Sequence, residues 1–279
     1  MNKLLHKLGL TRRHSEERTV AKLREQIQTK DARIAELRER IATKNAHIAD
    51  LSAGMTELMA DLEIVRGTSG DVRDAFHRLY YHTRVQNRNT YLGRPILQCP
   101  MDLQVYQEIV FSLRPRAIVQ TGVFAGGSLL YFATLLDLLQ MDPDCLVIGV
   151  DLRLSAEART LSHPRIRLIE GSSTDPATVK EVEKWLPSEG ALVSLDSDHT
   201  QAHVAQELRI YRDYVAVGSY LVVEDTNINN HPVLPDFGPG PFEAVEDFLQ
   251  EEDRFVRDDE VWQHNLFSFH QQGWLKKAR

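Results

Sequence analysis

Between Val20 and Val65 an apolar residue recurs at alternating three- and four-residue steps for almost seven heptads. The a positions are Val20, Ile27, Ile34, Ile41, Ile48, Met55 and Leu62. The d positions are Leu23, Lys30, Leu37, Lys44, Leu51, Leu58 and Val65. Twelve of these fourteen positions are apolar, and no Gly or Pro enters the stretch before Gly54. A chain with this period has to form a long helix that hides one stripe, so the pattern predicts a coiled coil over residues 20–66. The stretch also repeats itself at two-heptad spacing, Thr29 to Leu37 returning as Thr43 to Leu51. At ~1.5 Å per residue the rod spans about 70 Å. Ile at a with Leu at d favours a parallel dimer, while the lysines at Lys30 and Lys44 weaken the seam and leave dimer and trimer open. The alternative is one long helix folded back on its own domain. Gly67, Ser69 and Gly70 predict a break there, with residues 67–100 forming a hinge and lid or N-terminal helical segment.

Charge divides the chain at the same place. Residues 1–66 carry 13 basic and 10 acidic side chains, whereas residues 67–279 carry 20 and 30, and the whole chain has a formal net charge of −7. That balance argues against nucleic acid as a partner. The two cysteines, Cys99 and Cys145, are far apart and lack metal-type spacing, which excludes a disulfide scaffold and suits a reducing, cytoplasmic setting. No apolar run approaches the ~20 residues of a membrane helix. Residues 1–19 read as a basic tail, with Lys3, Lys7, Arg12 and Arg13 among Leu4, Leu5, Leu8 and Leu10. Such a tail is too interrupted for a secretory signal and allows at most peripheral contact with the inner face of a membrane.

From residue 101 to 279 the pattern changes to strand–helix alternation. Arg116–Thr121, Cys145–Val150, Arg165–Glu170, Ala191–Leu195 and Ser219–Val223 read as strands; Gly126–Gln140, Pro176–Leu186 and Val204–Tyr214 read as helices. Near-continuous apolar strands separated by helices predict an open, doubly wound α/β domain with a parallel sheet. Ligands bind such sheets at the carboxyl ends of the strands.

The first strand runs into Gln120-Thr-Gly-Val-Phe-Ala-Gly-Gly-Ser128, where Gln120, Thr121, Gly122, Gly126 and Ser128 allow a ligand to approach a helix N-terminus. A turn of this kind also occurs for packing alone. It does not match G-x-G-x-x-G, and it lacks the Lys of a phosphate loop. The second strand ends in Asp151, placed to accept from ribose hydroxyls or to cap the next segment. The third runs into Gly171-Ser172-Ser173-Thr174-Asp175, whose small polar residues suit an adenine edge, Asp175 serving equally as an N-cap. In this order the three strand ends describe an adenosyl-type site. The fourth strand runs into Asp196-Ser197-Asp198-His199 and the fifth into Glu224-Asp225. Carboxylates that end neighbouring buried strands repel one another unless a cation sits between them. Asp196, Glu224 and Asp225 are therefore candidate ligands for a hard divalent ion, Mg²⁺ first. His199 stays on the same rim as a candidate general base. Helix caps and a surface histidine are the alternative for these five. The Pro- and Gly-rich loop 227–241 reads as a stiff rim wall, with His231 either a solvated loop residue or a substrate contact.

With these residues assembled, residues ~76–275 resemble the cephalosporin-hydroxylase-type family of S-adenosylmethionine-dependent O-methyltransferases, and within it the rhamnosyl O-methyltransferases. The phrases that carry the resemblance are Tyr106-Gln-Glu, Thr121-Gly…Gly126-Gly-Ser, Gly171-Ser-Ser-Thr-Asp-Pro, Leu195-Asp-Ser-Asp-His and Val222-Val-Glu-Asp-Thr-Asn-Ile-Asn. His231-Pro-Val-Leu-Pro and Phe237-Gly-Pro-Gly-Pro-Phe-Glu-Ala-Val are longer and more specific. The resemblance implies a Rossmann-like class I methyltransferase fold and S-adenosylmethionine and Mg²⁺, or another divalent cation, as cofactors. It further implies a metal on Asp196, Glu224 and Asp225 with His199 as base, and a sugar hydroxyl of a glycolipid, polysaccharide or glycosylated natural product as acceptor. Gln120 departs from the usual Glu, and Gln98 from the usual Lys. A non-catalytic scaffold dimerised by the coiled coil is the competing reading.

Because the heptad stretch supplies no ligand or base, it should set assembly and not chemistry. Deleting residues 1–66 should give a smaller particle by light scattering, with turnover on a short soluble acceptor held within about threefold, since the ~70 Å rod keeps most of the stalk far from the site. An unchanged particle size would assign the dominant interface to the remaining domain.

Overall fold

The computed structural model describes the backbone of residues 2–279; side chains are described except at 2–21, 25, 56–69 and 71. The basic-tail reading of residues 1–19 and the seam side chains Val20, Leu58, Leu62 and Val65 therefore lie outside the described residues. The chain forms two compact units, Met1–Ser69 and Gly70–Arg279.

The first helix, α1, runs Asn2–His82. The break that the glycines predict at Gly67, Ser69 and Gly70 does not occur, since the backbone stays helical to His82. A glycine in a helix costs about 1 kcal/mol relative to Ala but keeps its N–H, so it weakens a helix without ending it. The apolar pattern also resumes in register, because counting on by sevens places Val72 and Leu79 at d and Phe76 at a. The helix ends where Arg84 turns left-handed at φ 54°. Thr83 Oγ1 donates there to the carbonyls of Leu79 (2.8 Å) and Tyr80 (3.0 Å).

The second unit continues with a short hairpin, β1 Thr90–Tyr91 and β2 Arg94–Pro95. Next come α2 Pro100–Leu113, β3 Ala117–Thr121, α3 Gly127–Leu138, β4 Leu146–Asp151, α4 Ala156–Arg159, β5 Ile166–Glu170 and α5 Pro176–Glu183. The chain closes with β6 Leu192–Leu195, α6 Gln201–Tyr211, β7 Tyr220–Val223, α7 Pro241–Glu251, β8 Phe255–Arg257, α8 Glu260–Gln263 and β9 Trp274–Lys277. Seven strands form one sheet in the order β5-β4-β3-β6-β7-β9-β8. The five strands read from sequence are there and pair in parallel. The sheet is mixed, however, because β9 enters antiparallel between β7 and β8.

Strand alternation divides the core. Ile118, Val147, Leu192, Val222 and Trp274 face one layer. Val119, Ile148, Val193, Leu221 and Leu275 face the other. Both faces are covered, so β3, β6 and β7 are buried at every position and mostly apolar. The chain leaves β3 outward through β4 and β5 and returns on the opposite side through β6. That reversal opens a crevice at the carboxyl ends of β3 and β6.

The last turns of α1 pack on the segment before β9. His77 is fully buried, stacked on Phe269 (5.5 Å between centroids, 12° between planes), with Asn227 Nδ2 2.9 Å from its Nε2. Burial, helped by Arg78, lowers the pKa of His77 to about 4. The folded state therefore keeps this ring neutral, while the unfolded chain binds a proton near pH 6.5. Its contribution is complete above pH 6.5 and is lost as pH falls toward 4. Between pH 7 and 4.5 denaturant unfolding should lose about 2 kcal/mol more in the wild type than in His77→Gln. Parallel pH profiles would show that His77 is not the group responsible.

Candidate active site

At the end of β3, Gly122 has φ +78°, and a Cβ there would lie 1.8 Å from the Asp196 carbonyl oxygen. Only glycine permits the ends of β3 and β6 to approach this closely. The join is made by the Asp196 N–H, which donates to Thr121 O at 3.0 Å and Thr121 Oγ1 at 3.2 Å. Thr121, read as a cofactor contact, is fully buried and serves this join. Gln120 Nε2 donates to Gly122 O at 2.8 Å, and its Oε1 is buried with no partner. Gly126, left-handed at φ +81°, is the residue before α3, and a Cβ there would strike Leu161. Ser128 lies in the first turn of α3 and lines the cavity.

Asp151 holds the glycine turn. Its Oδ2 accepts the N–H groups of Val123 (2.8 Å) and Phe124 (3.3 Å), and its Oδ1 accepts that of Arg153 at 2.9 Å. Ser172 Oγ lies 3.1 Å from Thr174 Oγ1, and Ser173 Oγ lies 3.1 Å from His203 Nε2. Asp175 takes its alternative role and caps α5 through the N–H groups of Ala177 and Thr178. A cavity of about 430 Å³ is lined by Gly122, Asp151, Leu152, Ser172, Ser173 and His203. It shares Gly122, Asp151 and Ser197 with a second cavity of about 260 Å³ that holds Gln120, Asp196, His199, Glu224 and Asp225.

The second cavity is acidic. Single ligand atoms from Asp196, His199 and Asp225 all lie within 4.8 Å of one another, and His199 Nε2 is 3.3 Å from Asp225 Oδ2. Burial, reinforced by the charges of Glu224 and Asp225, raises the pKa of Asp196 well above the carboxylate range. Glu224 lines the same cavity, but its oxygens are already engaged. Oε1 accepts from Tyr106 Oη at 2.7 Å and from Ser194 Oγ, while Oε2 accepts from Gln98 Nε2 and faces His270 Nε2 at 3.4 Å. The carboxylate oxygens of Asp196 and Asp225 that converge there are donors that a hard divalent ion accepts, and the imidazole of His199 stands beside them. Asp198 turns away from this set and accepts the Thr200 N–H at 2.8 Å.

Residues 83–278 match the family model described as Rhamnosyl O-methyltransferase/CmcI. The chain belongs to this family. It is 36% identical over 227 residues to a protein named rhamnosyl O-methyltransferase from Mycobacterium bovis (strain BCG / Pasteur 1173P2), covering 79% of this chain and 89% of that one. A protein of the same name from Mycobacterium leprae is 36% identical over 183 residues, covering 64% and 79%. The solved structure titled "cmcI-D160 Mg-SAM" superposes with a TM-score of 0.53 at 24% identity over 69% of this chain and 78% of that one, which shows the shared fold. Family and fold make the chain an O-methyltransferase with a class I, Rossmann-like sheet.

The methyltransferase site draws on residues that the sequence did not single out for a role. Asp102 and Tyr106 come from α2, Ser194 from β6, and His270 from the segment before β9. Tyr106 stood in a motif that carries the family resemblance, and the available signal was an Asp and a Tyr one helical turn apart on the stripe shared with Val105, Ile109 and Val110. His231 is half-buried; its ring stacks on Phe242 (3.7 Å, 21°), and Nε2 lies 3.0 Å from Glu243 Oε1. Asn229 Nδ2 (2.8 Å) and the Gly240 N–H (2.7 Å) also donate to Glu243, which fastens loop 227–241 to the start of α7.

Proposed function

We propose that this enzyme transfers the methyl group of S-adenosylmethionine to a hydroxyl of a rhamnose-like sugar, using a divalent cation such as Mg²⁺. The observation that carries the reading is the convergence of Asp196, His199 and Asp225 on a cavity continuous with the strand-end cleft of β3 and β4. The cation, when bound, draws charge from the acceptor hydroxyl and lowers its pKa. Asp196 and Asp225 hold it, with Glu224 behind them as a fixed acidic floor. Gln120, Gly122, Ser128, Asp151, Ser172 and Ser173 face the methyl donor.

His199 takes the hydroxyl proton, and the charge it acquires is stabilised by Asp225 at 3.3 Å. The sugar oxygen forms its bond to the methyl carbon as the carbon–sulfur bond breaks, leaving S-adenosylhomocysteine. Holding both partners in line contributes several kcal/mol. The backbone of the Gly122–Ser128 turn does this on the donor side. Loop 227–241, fastened through Glu243, walls the acceptor side.

The exposed seam residues Leu23, Ile27, Ile34, Leu37, Ile41, Ile48, Leu51 and Met55 support a parallel coiled coil with a second copy over residues 20–65. The domain division follows as a tail to residue 19, a coiled coil over 20–66, a connecting and lid segment over 67–100, and the transferase domain over 101–279. No helix among the described residues is long and apolar enough to cross a membrane.

Transfer of labelled methyl to a soluble rhamnoside tests the chemistry. EDTA should abolish it and Mg²⁺ should restore it; full transfer in metal-free buffer would remove the cation from the scheme. His199→Ala should bind S-adenosylmethionine normally by calorimetry yet turn over at least ~100-fold more slowly. Lost cofactor affinity with unchanged turnover would move the base elsewhere.

A further inference from the structure

We propose that His270 is a positioning residue that fixes the backbone turn from which Asp225 reaches the cation site, and that Asp102 holds His270 in place. This rests on the reading of Asp196 and Asp225 as cation ligands.

The ladder ends at Glu224. Val223 N–H donates to Gly273 O at 2.8 Å and Glu224 N–H to Leu195 O at 3.0 Å. Asp225 then leaves the strand with φ +55°, a left-handed conformation that costs a residue with a side chain about 1 kcal/mol or more. Its N–H donates to no strand carbonyl, and the acceptor is His270 Nδ1 at 3.0 Å. Without that acceptor a half-buried donor loses its protein partner at the point where the ligand carboxylate is aimed.

The same bond settles the state of the ring. An Nδ1 that accepts has no proton, so Nε2 carries one and points it toward Gln98 Oε1 (3.3 Å), Glu224 Oε2 (3.4 Å) and Asp102 Oδ2 (3.6 Å). These carboxylates, with Asp225, pull the ring toward its charged form against burial. The Asp225 N–H occupies the atom where a second proton would go.

His270 is buried in the cavity wall, and its ring lies between Tyr106 (6.3 Å) and Trp274 (5.7 Å), which fix its orientation. The segment that carries it is pinned to α2, since Asp102 Oδ2 accepts the Phe269 N–H at 2.8 Å. Within the segment, Ser268 Oγ accepts the His270 N–H at 2.9 Å. Support of this kind behind a metal ligand is commonly worth 10–100-fold in metal affinity.

The test compares His270→Leu, which fills the space but accepts no hydrogen bond, with His270→Asn, whose Oδ1 can stand where Nδ1 stands. The readout is Mn²⁺ affinity by electron paramagnetic resonance on the full chain. Calorimetric S-adenosylmethionine affinity and near-ultraviolet circular dichroism serve as controls; if His270→Leu does not fold, His270→Ala replaces it. The expected result is Mn²⁺ binding at least ~10-fold weaker in His270→Leu and mostly restored in His270→Asn, with donor affinity within about threefold throughout. Wild-type Mn²⁺ affinity in His270→Leu would overturn the proposal and leave the cation site standing. Equal weakening in both variants would assign the loss to packing and also overturn it. A wild-type protein that binds no Mn²⁺ would overturn the cation site itself, and this proposal with it.

Discussion

Three carboxylates, Asp196, Glu224 and Asp225, end two adjacent buried strands, and the groups around them are arranged to manage their repulsion. Two unit charges 4 Å apart interact by about 4 kcal/mol at an effective dielectric constant near 20, so such a cluster cannot be left uncompensated. The fold treats the three differently. Glu224 receives hydroxyl, amide and imidazole groups from Tyr106, Ser194, Gln98 and His270. Asp225 receives His199. Asp196 has one long bond from Gln98 at 3.3 Å, and it is the carboxyl whose pKa burial and its neighbours raise well above the ordinary range. The deficit of positive charge thus lies on the cavity side, between Asp196 and Asp225.

The donor half of the cleft depends on the same strand ends. Gly122 lies so close to the Asp196 carbonyl that no other residue fits, and Asp196 hangs its N–H on Thr121. Asp151 spends its Oδ2 on the turn that follows Gly122. The turn that would face the sulfonium and the carboxylate that would face the acceptor are therefore one hydrogen-bonded piece of backbone. Small movements on one side carry to the other, and catalysis by positioning requires that rigidity.

What the sequence made legible follows from the distance over which each signal acts. Apolar runs such as Ala117–Val119 and Leu192–Val193 mark strands because both sheet faces are covered, and the residues at their ends are local in the chain. Asp196, His199 and Asp225 converge for that reason. The β9 strand was hidden because Trp274–Lys277 is four residues long and half lysine; it becomes a strand by pairing β7 on one side and β8 on the other. Glu224 looked identical to Asp225 in sequence, and groups distant in the chain, Tyr106 from 118 positions away among them, give it partners that Asp225 does not have. His270 and Asp102 meet across the fold and share no motif. The glycines at 67–70 misled because composition records their cost to a helix but not the apolar register that resumes at Val72, Phe76 and Leu79.

The long helix illustrates the converse. In the described part of Met1–Ser69, eight large apolar side chains from Leu23 to Met55 are each more than two-fifths exposed. A helix gains little stability from propensity alone and depends on burying its apolar face. These residues lie at a and d, the stripe that a second copy of the same helix fills knob into hole. The first unit's apolar seam is thus left exposed within one chain, while the second unit's central strands are covered on both faces.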